Sequence, residues 1–155
     1  MIEQDSYDWA CRITGTVFDL WKSDFPFWRD GIKTFYTPVK RKPDLVIVTL
    51  NPGSSTQYNY EKEDKERFEI RHDFAPPFEN EYLVSSGGIP RSLRSFFRDN
   101  MKLLAQCVGI PVIFFRSPDF KQLEKQRAVI NRCLPVTKEI VQYIEPRKIL
   151  VIGFS

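Results

Sequence analysis

The chain has 155 residues and a mass of 18.3 kDa, with 42% hydrophobic and 28% charged side chains, enough for one core and too short for two ordinary domains. No uninterrupted apolar run approaches the ~20 residues that span a bilayer, and the acidic start Met1-Ile2-Glu3-Gln4-Asp5 lacks the basic and apolar stretches of an export signal, so a cytoplasmic protein without membrane contact is expected. A net charge of +3 and a pI near 8.8 permit contact with phosphates without requiring it, while 13 Phe suit either core filling or stacking on unpaired bases.

From Ser6 to Trp21 the apolar positions Trp9, Ile13, Val17, Leu20 and Trp21 recur at spacings of three and four, which predicts an amphipathic helix. Pro26, Gly31 and Pro38, mixed with aromatics that include Trp28 and Tyr36, predict an irregular but packed connection, and Lys40-Arg41-Lys42 reads as a solvated loop. The run Leu45-Val46-Ile47-Val48-Thr49-Leu50 reads as a strand covered on both faces, as in a parallel sheet, and Pro52 stops it. Ligands of open α/β sheets bind outside the carboxyl ends of the strands, which makes Asn51 the first candidate functional residue. An ordinary turn explains Asn51-Pro52-Gly53 as well, since these are the commonest turn residues.

Residues 58–78 are highly charged and read as an excursion over the site, with the single histidine, His72, as a surface residue outside the chemistry. After a turn at Ser86-Gly87-Gly88-Ile89-Pro90, a helix is predicted from Ser92 through Leu93, Phe96, Phe97, Leu103, Leu104 and Val108, closed by Gly109 and Pro111. Arg91, Arg94 and Arg98 share its opposite face, either to hold phosphates or as a solvated surface. Residues 111–115 read as a second buried strand ending at Arg116-Ser117, and Ser117-Pro118-Asp119 is a helix start. Residues 121–144 are helical in character, broken or kinked at Pro135, and Lys148 to Gly153 reads as a third buried strand. Strands alternating with helices argue for a parallel α/β sheet with right-handed crossovers. Cys11, Cys107 and Cys133 are widely spaced and odd in number, and read as free thiols rather than a disulfide framework or zinc site.

Taken together, the strand ending in Thr49-Leu50-Asn51-Pro52-Gly53, the turn Gly88-Ile89-Pro90 leading a helix, and the strand at Lys148-Ile149-Leu150-Val151-Ile152-Gly153 resemble the uracil-DNA glycosylase superfamily over about residues 43–155. The first motif is similar to the Gly-Ile-Asn-Pro-Gly of the mismatch-specific and thymine-DNA glycosylase branch and departs from it in its first residue. The second is similar to the Gly-x-Pro-Phe segment of the iron-sulfur branch, with Arg91 in place of the Phe, and Cys133 followed by Pro135 is similar to that branch's late Cys-containing helix. The other cluster cysteines have no counterparts, so no cofactor is implied.

The resemblance implies a three-layer α/β sandwich with a short parallel sheet in the order two, one, three, four, as one domain over residues 1–155 that ends before the fourth strand and its His-Pro-Ser type motif. It implies DNA, single-stranded or duplex, as the partner, and hydrolysis of the N-glycosidic bond of uracil or a related damaged base in DNA repair. The base would be flipped out of the stack and its bond broken while charge builds on base and sugar. Asn51 would position the attacking water with help from the backbone at Pro52, and Gly53 would let the DNA backbone approach. Thr49, Leu50, Ser54, Gly88, Arg91, Arg116 and Ser117 complete the implied substrate-binding set. Phe115-Arg116-Ser117 stands where the family places a base-reading Asn, so Arg116 or Ser117 would take that edge; Tyr58, Tyr60, Phe96 or the planar Arg91 guanidinium would stack on the base. Two alternatives accompany this reading: a catalytically inactive nucleic-acid or nucleotide-binding module of the same fold, and self-association through a last strand left as a sheet edge.

Overall fold

The computed structural model describes residues 3–23, 31–53, 76–116 and 127–153. In chain order the elements are α1 (Gln4–Ser23), β1 (Val46–Thr49), α2 (Glu81–Val84), α3 (Gly88–Phe96), a 3-10 turn (Arg98–Asn100), α4 (Met101–Ala105), β2 (Val108–Pro111), α5 (Arg127–Ile144) and β3 (Ile149–Val151). The three strands form one parallel sheet in the order β2-β1-β3, with Val46 opposite Val108 on one side and Ile149 on the other. The expected α/β architecture with a short parallel sheet is therefore present.

β1 is central because its side chains alternate between two cores. Val46 and Val48 join Ala10, Ile13 and Val17 of α1 and Val129, Val136 and Ile140 of α5 in one buried cluster. Leu45 and Ile47 join Tyr82, Leu93, Phe97 and Leu104 of α2 to α4 in the other. Helix α1 contains the predicted helical stretch, and Trp9 stacks on Tyr143 of α5 with ring centroids 3.7 Å apart and planes 7° from parallel. Within the 31–42 connection Ile32, Thr34, Phe35, Thr37 and Val39 are buried, as the packed reading required. Arg41 lies over the Tyr143 ring, and Arg41 and Lys42 both pair with Glu145, so two members of the basic run fasten the end of α5. Glu145 closes that helix in the left-handed region at φ 51°, just before Pro146.

Five sequence expectations are corrected. The second strand is Val108–Pro111, three residues earlier than expected, and beyond it Val112 and Ile113 donate only single backbone bonds to Thr49 and Leu50. Gly109 and Pro111 looked like a helix stop but belong to the strand. A Cβ at Gly109 would come within 2.4–2.7 Å of the Tyr82 phenol, and Pro111 ends the outermost strand of the described sheet with its missing donor turned away from β1, so no bond to β1 is lost. The helix expected from Ser92 to Val108 starts earlier, at Gly88, and is broken by the 3-10 turn after Phe96. Pro90 is accommodated because backbone donors in the first helical turn have no partner anyway. Of the break or kink expected at Pro135, the break is absent: α5 is continuous, and its buried face of Val129, Cys133, Val136, Thr137, Ile140 and Ile144 outweighs one missing backbone bond. Finally, β3 is not buried: Ile149 is 49% and Val151 66% exposed, and among the described residues β3 has a strand partner on one side only.

Two outcomes follow from this packing. Ile152 N–H donates to Val48 O, so alternation directs the Leu150 and Ile152 amides to β1 and those of Ile149 and Val151 outward. Hydrogen exchange followed by NMR is expected to be slow at Leu150 and Ile152 and fast at Ile149 and Val151, and protection of Val151 would mean that the edge is covered. Gly109→Ala is expected to cost about 1–3 kcal/mol in urea denaturation, because the Tyr82 ring would have to leave a well-packed core; an unchanged midpoint would show that the ring has room to move.

Candidate functional site

The main-chain polarity of β1 delivers Leu50, Asn51, Pro52 and Gly53 to the carboxyl rim of the sheet. Pro52 is buried and Asn51 half-buried. The Asn51 Nδ2 donates to Pro52 O at 3.1 Å and to Phe115 O at 3.4 Å, so the carbonyls occupy the amide donors and leave the acceptor oxygen Oδ1 to offer a ligand. Arg116 clamps the same turn: its Nη1 donates to Gly53 O at 2.9 Å, while its backbone N–H is held by Gly31 O at 2.9 Å.

A pocket of about 310 Å³ opens at this rim. Thr49, Asn51, Pro52, Gly53 and Arg116 form one wall, the turn and first residues of α3 (Gly87, Gly88, Ile89 and Pro90) a second, and Lys33, Tyr36, Glu81, Tyr82 and Ser85 a third. Six of the residues singled out from the sequence, Thr49, Asn51, Pro52, Gly53, Gly88 and Arg116, thus meet around one cavity. Leu50 packs against the core instead of lining it. Arg91 is exposed on α3, with its Nη2 donating to Ser86 O at 3.1 Å, and does not line the pocket. Ser54 and Ser117 lie outside the described residues, as do Tyr58, Tyr60 and His72.

The arginine face of α3 divides by role. Arg94 Nη1 donates to Tyr82 O at 2.7 Å and Ser85 O at 2.9 Å, bracing the end of α2. Arg98 is exposed and faces the equally exposed Asp99. Phe96, considered above as a stacking ring, is 75% exposed and borders an apolar groove of about 640 Å³ between α3 and β3, which adjoins the Asn51 pocket at Gly88 and Ile89 but is not lined by Asn51. The rings that do line the Asn51 pocket are Tyr36 and Tyr82, stacked on each other at a centroid separation of 5.5 Å.

Sequence reasoning missed Lys33, Tyr36, Glu81 and Tyr82. Lys33 Nζ donates to Glu81 Oε1 in an ion pair that joins segments 48 residues apart. Nothing local in the sequence marked Lys33, although its neighbours Ile32, Thr34 and Phe35 are all buried. Glu81 offered no signal beyond its place after Asn80, whose side chain accepts from Tyr82 N at 3.0 Å and caps α2.

The third wall is partly withdrawn from water, with Tyr82 buried and Lys33, Tyr36, Glu81 and Ser85 half-buried. Burial pushes the Tyr36 phenol up to about 12, and the Tyr82 phenol is raised further by burial and by Tyr36 beside it. Tyr82 OH has no hydrogen-bond partner among the described residues, and Thr49 Oγ1 approaches the Tyr36 hydroxyl without a bond of good geometry. Cys107, behind this wall, is also pushed up to about 12 by burial. No group of three or more His, Cys, Asp or Glu is placed to hold a metal among the described residues, and no helix among them is long and apolar enough to cross a membrane.

No protein-family model and no curated protein matches the chain. The geometry of the rim therefore carries the functional reading.

The buried phenols and thiol set an alkaline limit. A group whose folded pKa lies above its unfolded value contributes stability that is complete below the unfolded pKa and is lost as pH rises toward the folded one. With Cys107 raised from 9.0 and Tyr36 from 10.0, each to about 12, stability is expected to fall across this interval. Denaturation midpoints measured from pH 8 upward check this, and a flat profile to pH 12 would show that these groups are open to water.

Proposed function

We propose that the chain is a DNA glycosylase-like protein that hydrolyses the N-glycosidic bond of uracil or a related damaged base in DNA. One observation supports this above the others. Asn51, from the Asn-Pro-Gly run that carries the resemblance to uracil-DNA glycosylases, sits at the carboxyl end of the central strand and shares a cavity with Gly88 and Arg116. The β2-β1-β3 order agrees with the first three strands of the order that the resemblance implies. A cavity of about 310 Å³ is at the small end of ligand pockets and suits a single flipped base.

In this mechanism the anchored Asn51 amide accepts a hydrogen bond from water through Oδ1 and holds it against the sugar carbon. An amide orients water but is a poor base, so the rate depends on stabilising charge on the departing base. Arg116 brings a fixed cation to the same wall.

The test is an abasic-site assay on uracil-containing single-stranded and duplex DNA, run beside a binding titration. Asn51→Ala is expected to lower turnover by about two to three orders of magnitude with DNA affinity almost unchanged, the effect of losing one positioned group. Parallel loss of affinity and turnover would make Asn51 a recognition residue. Binding without base release by the unaltered protein would replace the glycosylase reading with a nucleic-acid-binding module of the same fold.

A further inference from the structure

The Lys33–Glu81 pair stands apart from the other ion pairs among the described residues. Its side chains are 15% and 30% exposed, whereas both partners in every other such pair are at least 47% exposed. Withdrawing two charges from water gains little net stability, and an apolar pair of the same volume usually serves a fold as well. The pair is also held by the main chain on both sides. Lys33 N–H donates to Phe114 O at 2.8 Å and Glu81 N–H to Tyr36 O at 2.9 Å. Both residues line the pocket that contains Asn51.

The pair retains unused capacity. An ammonium carries three donors and no acceptor, and an ionised carboxylate has room for about four incoming hydrogen bonds and no donor. Bonded to each other, Lys33 and Glu81 still offer a donor and an acceptor side by side. The matching ligand edge places a carbonyl oxygen next to a ring N–H, which is the lactam edge of a uracil-type base.

We propose that Lys33 and Glu81 read this edge, Glu81 accepting from the ring N–H and Lys33 donating to the adjacent carbonyl oxygen. This assignment rests on the glycosylase reading above and adds to it the two residues that select the base. It also supplies the group that an amide-based mechanism needs. As the glycosidic C–N bond breaks, its electron pair leaves with the base and delocalises onto the carbonyl oxygen facing Lys33. The water oxygen bonds to the sugar carbon, its proton passes to solvent, and the base anion takes up a proton on release. Bases that carry an amino group at this edge place no such oxygen against Lys33.

Calorimetric titration of the full chain with uracil and with 3-methyluracil, which lacks the ring N–H, tests the assignment without any variant. Uracil is expected to bind about 10- to 100-fold more tightly, the value of a hydrogen bond to a charged group. The double variant Lys33→Met with Glu81→Leu removes both charges and both hydrogen-bonding heads without stranding either, and is expected to lose this preference while keeping its thermal midpoint. Equal binding of the two bases, a preference that survives in the double variant, or no binding of either base overturns the assignment. If uracil is nevertheless released from DNA, only the assignment falls and the glycosylase reading stands. A preference that depends on the pair, without base release, keeps the assignment and removes the glycosylase reading.

Discussion

The structure depends on one short strand being dry on both faces. Val46 and Ile47 are fully buried, Leu45 and Val48 are each 5% exposed, and successive side chains enter different cores. Burying each such side chain contributes about 1.5–3 kcal/mol, and a slip of one residue in register would exchange every side chain between the two cores. That constraint fixes where the polar residues after Thr49 emerge. The rim position of Asn51 is a consequence of the hydrophobic pattern upstream of it.

The pocket is assembled by segments that do not touch in sequence. The 31–36 stretch crosses the rim through backbone bonds to Phe114, Gly109 and Arg116, and α2 attaches to it through Glu81 N–H and Tyr36 O. Thr37 Oγ1 completes the join by accepting from Gly109 N–H at 3.0 Å. These bonds satisfy polar backbone that would otherwise be stranded beside a partly desolvated wall. Each charged head of the pocket thus belongs to a residue whose own main chain is tied to a neighbouring segment. Such anchoring reduces the rearrangement needed when a ligand arrives.

Much of this architecture was legible in the sequence. The apolar run at residues 45–50 and the spacing of three and four in α1 each predict one element, because in both the burial pattern matches the period of the backbone. The errors cluster where one residue type serves two purposes. Gly109 and Pro111 carry helix-stop chemistry, yet Gly109 is required by the Tyr82 ring and Pro111 is tolerated at an edge. Pro135 carries break chemistry and is overridden by its buried neighbours. At the site, Asn51, Gly88 and Arg116 were visible because turn and strand signals flank them. Lys33 and Glu81 were hidden, since their significance lies in a pairing across 48 residues that no local pattern encodes.

The sheet order also bears on how the chain acquires its structure. Val46 pairs with Val108 and with Ile149, partners roughly sixty and one hundred positions away. Contacts of such sequence separation slow folding, because the entropy of closing the intervening chain is lost before the contact returns anything. On the ribosome, where synthesis proceeds at ~5–20 residues per second, the central strand would have β2 beside it several seconds before β3 emerges. During that interval the strand that organises the finished protein is itself an unprotected edge, and a chaperone that shields apolar strand edges would act most usefully there.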